Sequence, residues 1–125
     1  MNKQRVLIVE DNPPHMQIAA YLLECGGYEV MQAVNAEDGI SLARNERPAL
    51  ILMDLRLPGM DGVAAIRELR ADPETRSIKI IAVTSYGIEY DEQAMRTCGA
   101  DAFIGKPYHY NNFLGIVKAV LEQPC

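Results

Sequence analysis

Residues 49–54 read Ala-Leu-Ile-Leu-Met-Asp, five apolar residues followed by a carboxylate. An uninterrupted apolar run of this length is typical of a strand that is buried on both faces of a parallel sheet. A carboxylate at the end of such a strand is costly to bury unless its charge is used. Asp54 is therefore the first candidate for a functional residue.

Other apolar runs in the chain also end in polar or charged side chains. They are residues 5–9 before Glu10 and Asp11, residues 78–83 before Thr84, and residues 102–104 shortly before Lys106. The carboxyl ends of parallel strands meet at one edge of an open α/β sheet, and this edge is where such folds build their sites. We therefore expect the three carboxylates, the hydroxyl and the ammonium to converge there.

Apolar runs alternate with amphipathic segments along the chain, which predicts βα units and an α/β fold with a parallel sheet. Right-handed crossovers then place helices on both faces of that sheet. The predicted strands are residues 5–9, 28–33, 49–53, 78–83 and 102–105. The predicted helices are residues 13–25, 35–47, 62–71 and 88–98, and a last helix whose apolar stripe is Phe113, Ile116, Val117, Val120 and Leu121.

Two local patterns predict where helices begin and end. Asn35 with Asp38 three residues later resembles a capping box at the start of the second helix. The pair Gly26-Gly27 predicts a left-handed end to the first helix.

The composition excludes several classes of function. With 125 residues, 49% of them apolar, the chain can form one domain with its own core and needs neither disulfides nor a structural metal. The net charge of −5 argues against direct binding to nucleic acid or to an anionic membrane. The sequence shows no signal peptide or membrane span, and Cys25, Cys98 and Cys125 are far apart. We expect reduced thiols in a cytoplasmic protein.

The residue types at the sheet edge suit phosphoryl transfer. Asp54 is an oxygen nucleophile that could form an aspartyl phosphate. Glu10, Asp11 and Asp54 repel phosphate themselves, but together they can hold Mg²⁺, which favours carboxylate, water and phosphate oxygens. Lys106 could offer its charge to one phosphoryl oxygen, and Thr84 its hydroxyl to another. Any one of these residues could be an ordinary solvated surface group. That explanation does not account for all of them together at the ends of separate strands.

The motifs resemble the receiver domain of two-component response regulators. They are Val9-Glu10-Asp11-Asn12, Met53-Asp54 with Pro58-Gly59-Met60-Asp61-Gly62, Val83-Thr84-Ser85, and Gly99-Ala100-Asp101-Ala102-Phe103 running into Lys106-Pro107. The resemblance covers nearly the whole chain and implies a flavodoxin-like (βα)5 fold with strand order 2-1-3-4-5. It leads us to expect one receiver domain over residues 1–125, with no output domain.

The resemblance also implies a function. Such a domain accepts a phosphoryl group on Asp54 from a histidine kinase or a histidine phosphotransfer protein, with Mg²⁺ required, and then changes its affinity for a downstream protein. It is a phosphoacceptor with at most slow self-dephosphorylation, and not an enzyme. In the family, the backbone carbonyl at Arg56 is a further metal ligand, and Thr84 moves inward on phosphorylation with Phe103 turning in behind it. Phosphorylation-dependent homodimerisation is left open.

Two positions near the predicted site are expected to set the lifetime of the phosphoryl group. Arg56 lies two residues beyond Asp54, and Tyr86 lies two residues beyond Thr84. Both should flank the path of an attacking water, so a long arginine and a bulky ring there predict slow self-dephosphorylation.

A cluster of tyrosines late in the chain predicts a surface for a protein partner. Tyr90, Tyr108 and Tyr110 cannot all be buried on such short elements, and exposed tyrosines favour interfaces. The predicted surface comprises helix 88–98, the last strand and the last helix. His15 lies in the first helix, where such proteins often meet the phosphohistidine domain, although a lone histidine is more often polar surface.

The sequence leaves three alternatives open. The chain could be a receiver from a larger hybrid kinase or DNA-binding regulator. It could be a Mg²⁺-dependent phosphatase that forms an aspartyl phosphate. Such enzymes require a general acid two residues after the nucleophile, and this chain has Arg56 there. A flavodoxin-like nucleotide or flavin binder is disfavoured because Glu10-Asp11-Asn12-Pro13, and no glycine-rich phosphate loop, follows the first strand.

Overall fold

The computed structural model describes residues 3–57, 59–60, 62–85, 99–106 and 110–123. The strands are β1 (Arg5–Val9), β2 (Glu29–Ala33), β3 (Leu50–Asp54), β4 (Lys79–Ser85) and β5 (Ala102–Lys106). The described helices are α1 (Pro13–Cys25), α2 (Ala36–Glu46), α3 (Gly62–Ala71) and α4 (Tyr110–Glu122). All strand pairs are parallel, in the order β2-β1-β3-β4-β5, which confirms the predicted fold. The predicted helix 88–98 lies outside the described residues.

Three strands extend beyond the ends predicted from the apolar pattern. β3 ends at Asp54, β4 at Ser85 and β5 at Lys106, one or two residues later than expected. The apolar pattern stops at the first polar side chain, whereas a sheet ladder is made by backbone groups and continues through polar residues. The candidate residues at these positions are therefore held by the sheet itself.

The side chains on the two faces of the sheet form two separate cores. Along β3, Ile51 and Met53 pack with α2 and α3, whereas Leu50 and Leu52 pack with α1 and α4. Each fully buried aliphatic side chain of this kind contributes roughly 1.5–3 kcal/mol. The stripe predicted for the last helix is confirmed: Phe113, Val117 and Val120 are buried, and Ile116 and Leu121 pack against them.

The helix ends follow the predicted signals with two differences in detail. The Asn35 side chain accepts a hydrogen bond from the Asp38 backbone N–H at 2.8 Å and so caps α2. The Asp38 carboxylate accepts from the Asn35 side-chain amide at 3.2 Å, whereas a full capping box would use the backbone N–H of the cap. After α1, Gly26 keeps a right-handed conformation and Gly27 takes the left-handed one, at φ 92°.

A glycine in α2 lets this helix approach the end of β1. An ideal Cβ at Gly39 would lie 2.6 Å from Cγ2 of Val9, the residue directly before Glu10. We expect Gly39→Ala to lower the free energy of unfolding by about 1–3 kcal/mol, because the added methyl overpacks this contact. The matched control is Gly115→Ala in α4. An ideal Cβ at Gly115 has no neighbouring atom within 4 Å, so this substitution should instead stabilise the helix by roughly 0.5–1 kcal/mol. Urea denaturation measures both, and equal stabilisation by the two substitutions would contradict the overpacking.

Candidate functional site

Strand register brings the candidate residues to one edge of the sheet. Asp54 pairs with Val83, so Thr84 on β4 is one residue beyond the partner of Asp54. On the other side of β3, Met53 pairs with Val9. Asp54 follows Met53 and Glu10 follows Val9, so the two carboxylates occupy corresponding positions one residue beyond this pair. The Glu10 backbone N–H donates to the Ala33 carbonyl at 3.0 Å, which continues the β1–β2 ladder past the end of β1.

Three carboxylates form a tight cluster at this edge. Glu10, Asp11 and Asp54 each present a carboxylate oxygen, and these oxygens all lie within 4.8 Å of one another. Glu10 and Asp54 are 2% and 3% exposed, whereas Asp11 is exposed to solvent. Like charges at such distances repel strongly, and burial of two of them removes much of the screening by water. A bound cation is the simplest way to offset this repulsion.

The chemistry of the donor set fits a hard divalent cation. All three side chains offer oxygen, which Mg²⁺ and similar ions prefer to nitrogen or sulfur. Asp11, the exposed member, keeps one side of the cluster open to water, and Mg²⁺ usually retains several water ligands. Within the described part of the chain, these are the residues whose ligand atoms could hold a metal ion.

Glu10 is positioned by the turn that leads into α1. Its Oε2 accepts a hydrogen bond from the Asn12 backbone N–H at 3.2 Å. The Asn12 side chain in turn accepts from the His15 backbone N–H at 3.0 Å and caps α1. The half-exposed His15 ring places Nδ1 4.0 Å from the same Glu10 oxygen. The cap of α1 and the orientation of Glu10 are therefore one connected arrangement.

Asp54 is positioned by backbone groups that follow it. Its Oδ1 accepts a hydrogen bond from the Arg56 backbone N–H at 2.8 Å, which turns the chain at the end of β3. The Leu55 N–H donates to the Val83 carbonyl at 3.0 Å and keeps that turn against β4. An ideal Cβ at Gly62 would lie 2.2 Å from the Asp54 carbonyl oxygen, so the first residue of α3 has to be glycine. This contact was not predicted, although a glycine at the start of an amphipathic helix is a signal for close approach.

Of the remaining candidate residues, the structure describes some with their side chains, some by their backbone alone and some not at all. Thr84 is half-buried on β4 and pairs with Gly105, while Phe103 is half-buried and packs against the core on the α2 and α3 side. Lys106 pairs with Ser85 through its backbone, and its side chain lies outside the described structure. Outside it as well lie Tyr86, Tyr90, Tyr108 and the side chain of Tyr110, so the predicted tyrosine surface stays a prediction.

Comparison with known proteins identifies the family. The sequence profile of the response regulator receiver domain matches residues 6–118. The chain belongs to this family. The polar-differentiation response regulator DivK of Brucella anthropi is 40% identical to this receiver over 116 residues, which cover 93% of this chain and 94% of DivK.

Solved receiver structures share the fold closely. The receiver domain of a sensor histidine kinase from Pseudomonas aeruginosa PAO1 superposes with a TM-score of 0.90 at 30% identity, covering 98% of this chain and 100% of that one. That structure has a magnesium ion coordinated in its active-site cleft. A CheY-like response regulator receiver domain protein from Methanospirillum hungatei JF-1 gives a TM-score of 0.88 at 31% identity, with 97% and 95% of the two chains covered.

No helix among the described residues is both long enough and apolar enough to cross a bilayer.

The carboxylate cluster predicts that cation affinity depends on Glu10. We expect Glu10→Gln to raise the dissociation constant for Mg²⁺ at least about tenfold, because one of the three charges is lost while the side-chain volume is kept. Titration calorimetry of the folded protein measures the change. Glu24→Gln, an exposed position in the last turn of α1, removes the same charge far along the helix from the cluster and should leave the affinity unchanged. Equal losses in both variants would show a nonspecific charge effect instead.

Proposed function

We propose that this receiver accepts a phosphoryl group on Asp54, with Mg²⁺ bound at Glu10, Asp11 and Asp54, and passes a signal by changing its affinity for another protein. The observation that carries the proposal is the cluster itself. A buried Asp54 lies within 4.8 Å of two further carboxylates, in a chain that belongs to the response regulator receivers. The magnesium-bound cleft of the Pseudomonas aeruginosa receiver supports the choice of metal.

The contacts of Asp54 suit it to attack phosphorus. The hydrogen bond from Arg56 N–H to Oδ1 holds the carboxylate in one orientation. A carboxylate oxygen of Asp54 then forms the new O–P bond while the P–N bond of a phosphohistidine breaks, and the imidazole leaves and takes up a proton. Mg²⁺, when bound, neutralises charge on the carboxylates and the phosphoryl oxygens. The backbone carbonyl of Arg56 would complete its protein ligands.

Residues on β4 and β5 would recognise the transferred group. Thr84 stands one residue past the β4 partner of Asp54 and can offer its hydroxyl to a phosphoryl oxygen. Lys106 ends the neighbouring strand and can offer its ammonium to another. Phe103 packs against the α2 and α3 side of the sheet, so an inward movement of Thr84 would open space for its ring there. This movement would alter the surface around β5 when Asp54 is phosphorylated.

The partners follow from this chemistry. The phosphoryl donor would be a histidine kinase or a histidine phosphotransfer protein, and the output would be a protein that reads the altered surface in the cytoplasm. We propose that residues 1–125 act as one receiver domain that itself binds neither nucleic acid nor membrane, in keeping with its net charge of −5. Tyr90, Tyr108 and Tyr110 are the proposed partner surface.

The proposal predicts a covalent change at a single residue. Incubation with acetyl phosphate and Mg²⁺ should add the mass of one phosphoryl group to the intact protein, and omission of Mg²⁺ should abolish the change. Asp54→Asn should show no added mass, because an amide cannot act as the nucleophile. Intact mass spectrometry reads all three samples. Added mass that persists in Asp54→Asn would place the acceptor elsewhere and overturn the proposal.

The exposed Arg56 side chain predicts an effect on the lifetime of the phosphoryl group. Arg56→Ala should speed the loss of phosphate by about two- to tenfold, equivalent to at most about 1.4 kcal/mol of barrier, because water reaches Asp54 more easily. Tyr86→Ala tests the same idea at the position two residues beyond Thr84, and Arg67→Ala on the exposed face of α3 is the control. The decay of phosphorylated protein after donor removal is the measurement. Unchanged decay in both Arg56→Ala and Tyr86→Ala would disprove shielding.

A further inference from the structure

Arg70, in the last turn of α3, binds two other segments of the chain. Its Nε donates to the Gly99 carbonyl at 2.8 Å, and its Nη2 donates to Asp101 Oδ2 at 2.8 Å. Its Nη1 donates to the Arg76 and Ile78 carbonyls at 2.7 and 2.6 Å. The Arg70 and Asp101 side chains are only 23% and 25% exposed, so this ion pair is less screened than a surface pair. One guanidinium thus joins α3, the segment that enters β4 and the segment that enters β5.

Asp101 completes the connection between the two strands. Its Oδ2, besides binding Arg70, accepts from the Ile80 backbone N–H at 2.8 Å. Its own N–H donates to the Ile80 carbonyl at 2.7 Å. We call Arg70, Ile78, Ile80, Gly99 and Asp101 the Arg70 cluster.

The backbone at Gly99 is adapted to the arginine. Gly99 has φ 100°, a left-handed conformation that favours glycine. An ideal Cβ there would lie 2.9 Å from Arg70 Cγ. Both the conformation and the space therefore require glycine where the chain passes the arginine.

The Arg70 cluster lies where β5 begins. Among the described strands, β5 pairs with β4 alone, and the pairs run from Ile81↔Ala102 to Ser85↔Lys106. A slip by one residue would keep most backbone pairing but would turn every side chain of β5 to the opposite face. The Arg70 cluster bonds Asp101 to Ile80, directly before the first pair of this register.

We propose that Arg70 is a positioning residue for phosphoryl recognition, which it controls through the register of β5 and so through Lys106. The inference rests on the proposed function. Arg70 does not touch the reacting atoms, because the path along β5 from Asp101 to Lys106 is roughly 16 Å. Substitution of Arg70 should therefore weaken binding of the phosphoryl group and leave binding of the cation unchanged, because the proposed cation ligands follow β1 and end β3.

The test uses beryllofluoride, an analogue of the phosphoryl group, and Mg²⁺ as separate probes of the full chain. Arg70→Lys keeps the charge but cannot make the same set of hydrogen bonds. We expect its dissociation constant for beryllofluoride at saturating Mg²⁺ to rise about tenfold. Its dissociation constant for Mg²⁺ alone should change by less than about twofold, as for distant sites. Amide NMR shifts measure both constants on protein shown to be folded.

Arg44→Lys is the matched control. Arg44 Nε donates to Asp72 Oδ2 at 2.7 Å and ties α2 to the loop before β4, a contact that involves neither β4 nor β5. The backbone N–H of Glu74 and then Arg44 itself lower the pKa of the Asp72 carboxyl, so the pair is charged at neutral pH. We expect Arg44→Lys to keep wild-type affinity for beryllofluoride.

A double variant separates positioning from general loosening of the fold. In Lys106→Ala protein, Arg70→Lys should have no further effect on beryllofluoride affinity, because the residue it positions is gone. Additive losses of beryllofluoride affinity in the double variant would overturn the inference. So would equal losses of beryllofluoride affinity in Arg70→Lys and Arg44→Lys, or a loss of Mg²⁺ affinity in Arg70→Lys that matches its loss of beryllofluoride affinity. Should Arg70→Lys not fold, Asp101→Asn removes the ion pair while keeping an acceptor for Ile80 N–H, and the same criteria apply. A wild-type protein that binds no beryllofluoride would instead refute the proposed function.

Discussion

Repulsion among three carboxylates at one edge of a parallel sheet is the constraint on which this structure depends. Glu10 and Asp54 are almost fully buried and Asp11 stands beside them, so the folded state holds negative charge where water screens it least. The sheet ladder, the turn at Arg56 and the cap at Asn12 hold these groups together against that repulsion. The same charges favour binding of a divalent cation, which would offset the repulsion.

The fold could be predicted because the patterns that decide it are local. An apolar run between polar segments indicates a strand wherever it occurs, and the alternation with amphipathic helices indicates a parallel sheet. The strand order 2-1-3-4-5 was predicted from the family resemblance and is confirmed. The predicted ends of β3, β4 and β5 were one or two residues too early, because backbone pairing does not stop at the first polar side chain. The convergence of Glu10, Asp11 and Asp54 also followed from sequence, since the carboxyl ends of parallel strands share an edge.

The contacts that hold the site in place could not be predicted in the same way. Gly62 against the Asp54 carbonyl joins two elements whose distance depends on how α3 crosses the sheet. Arg70 and Asp101 are 31 residues apart, and nothing in either local sequence marks them as partners. Pairings of this kind depend on three-dimensional packing, which a single sequence leaves open. Resemblance to a family supplied the roles of Thr84 and Phe103, where the residues alone indicated a hydroxyl and a core ring.

The two cores have a consequence for how such a protein can diversify. Among the described residues, no side chain belongs to both the core beneath α1 and α4 and the core beneath α2 and α3. Ile18 and Tyr21 lie exposed on α1, over the first of these cores, whereas Phe103 packs against the second. Substitutions on the outer face of α1 therefore leave the surroundings of Phe103 intact. The two faces of one sheet can change independently of each other.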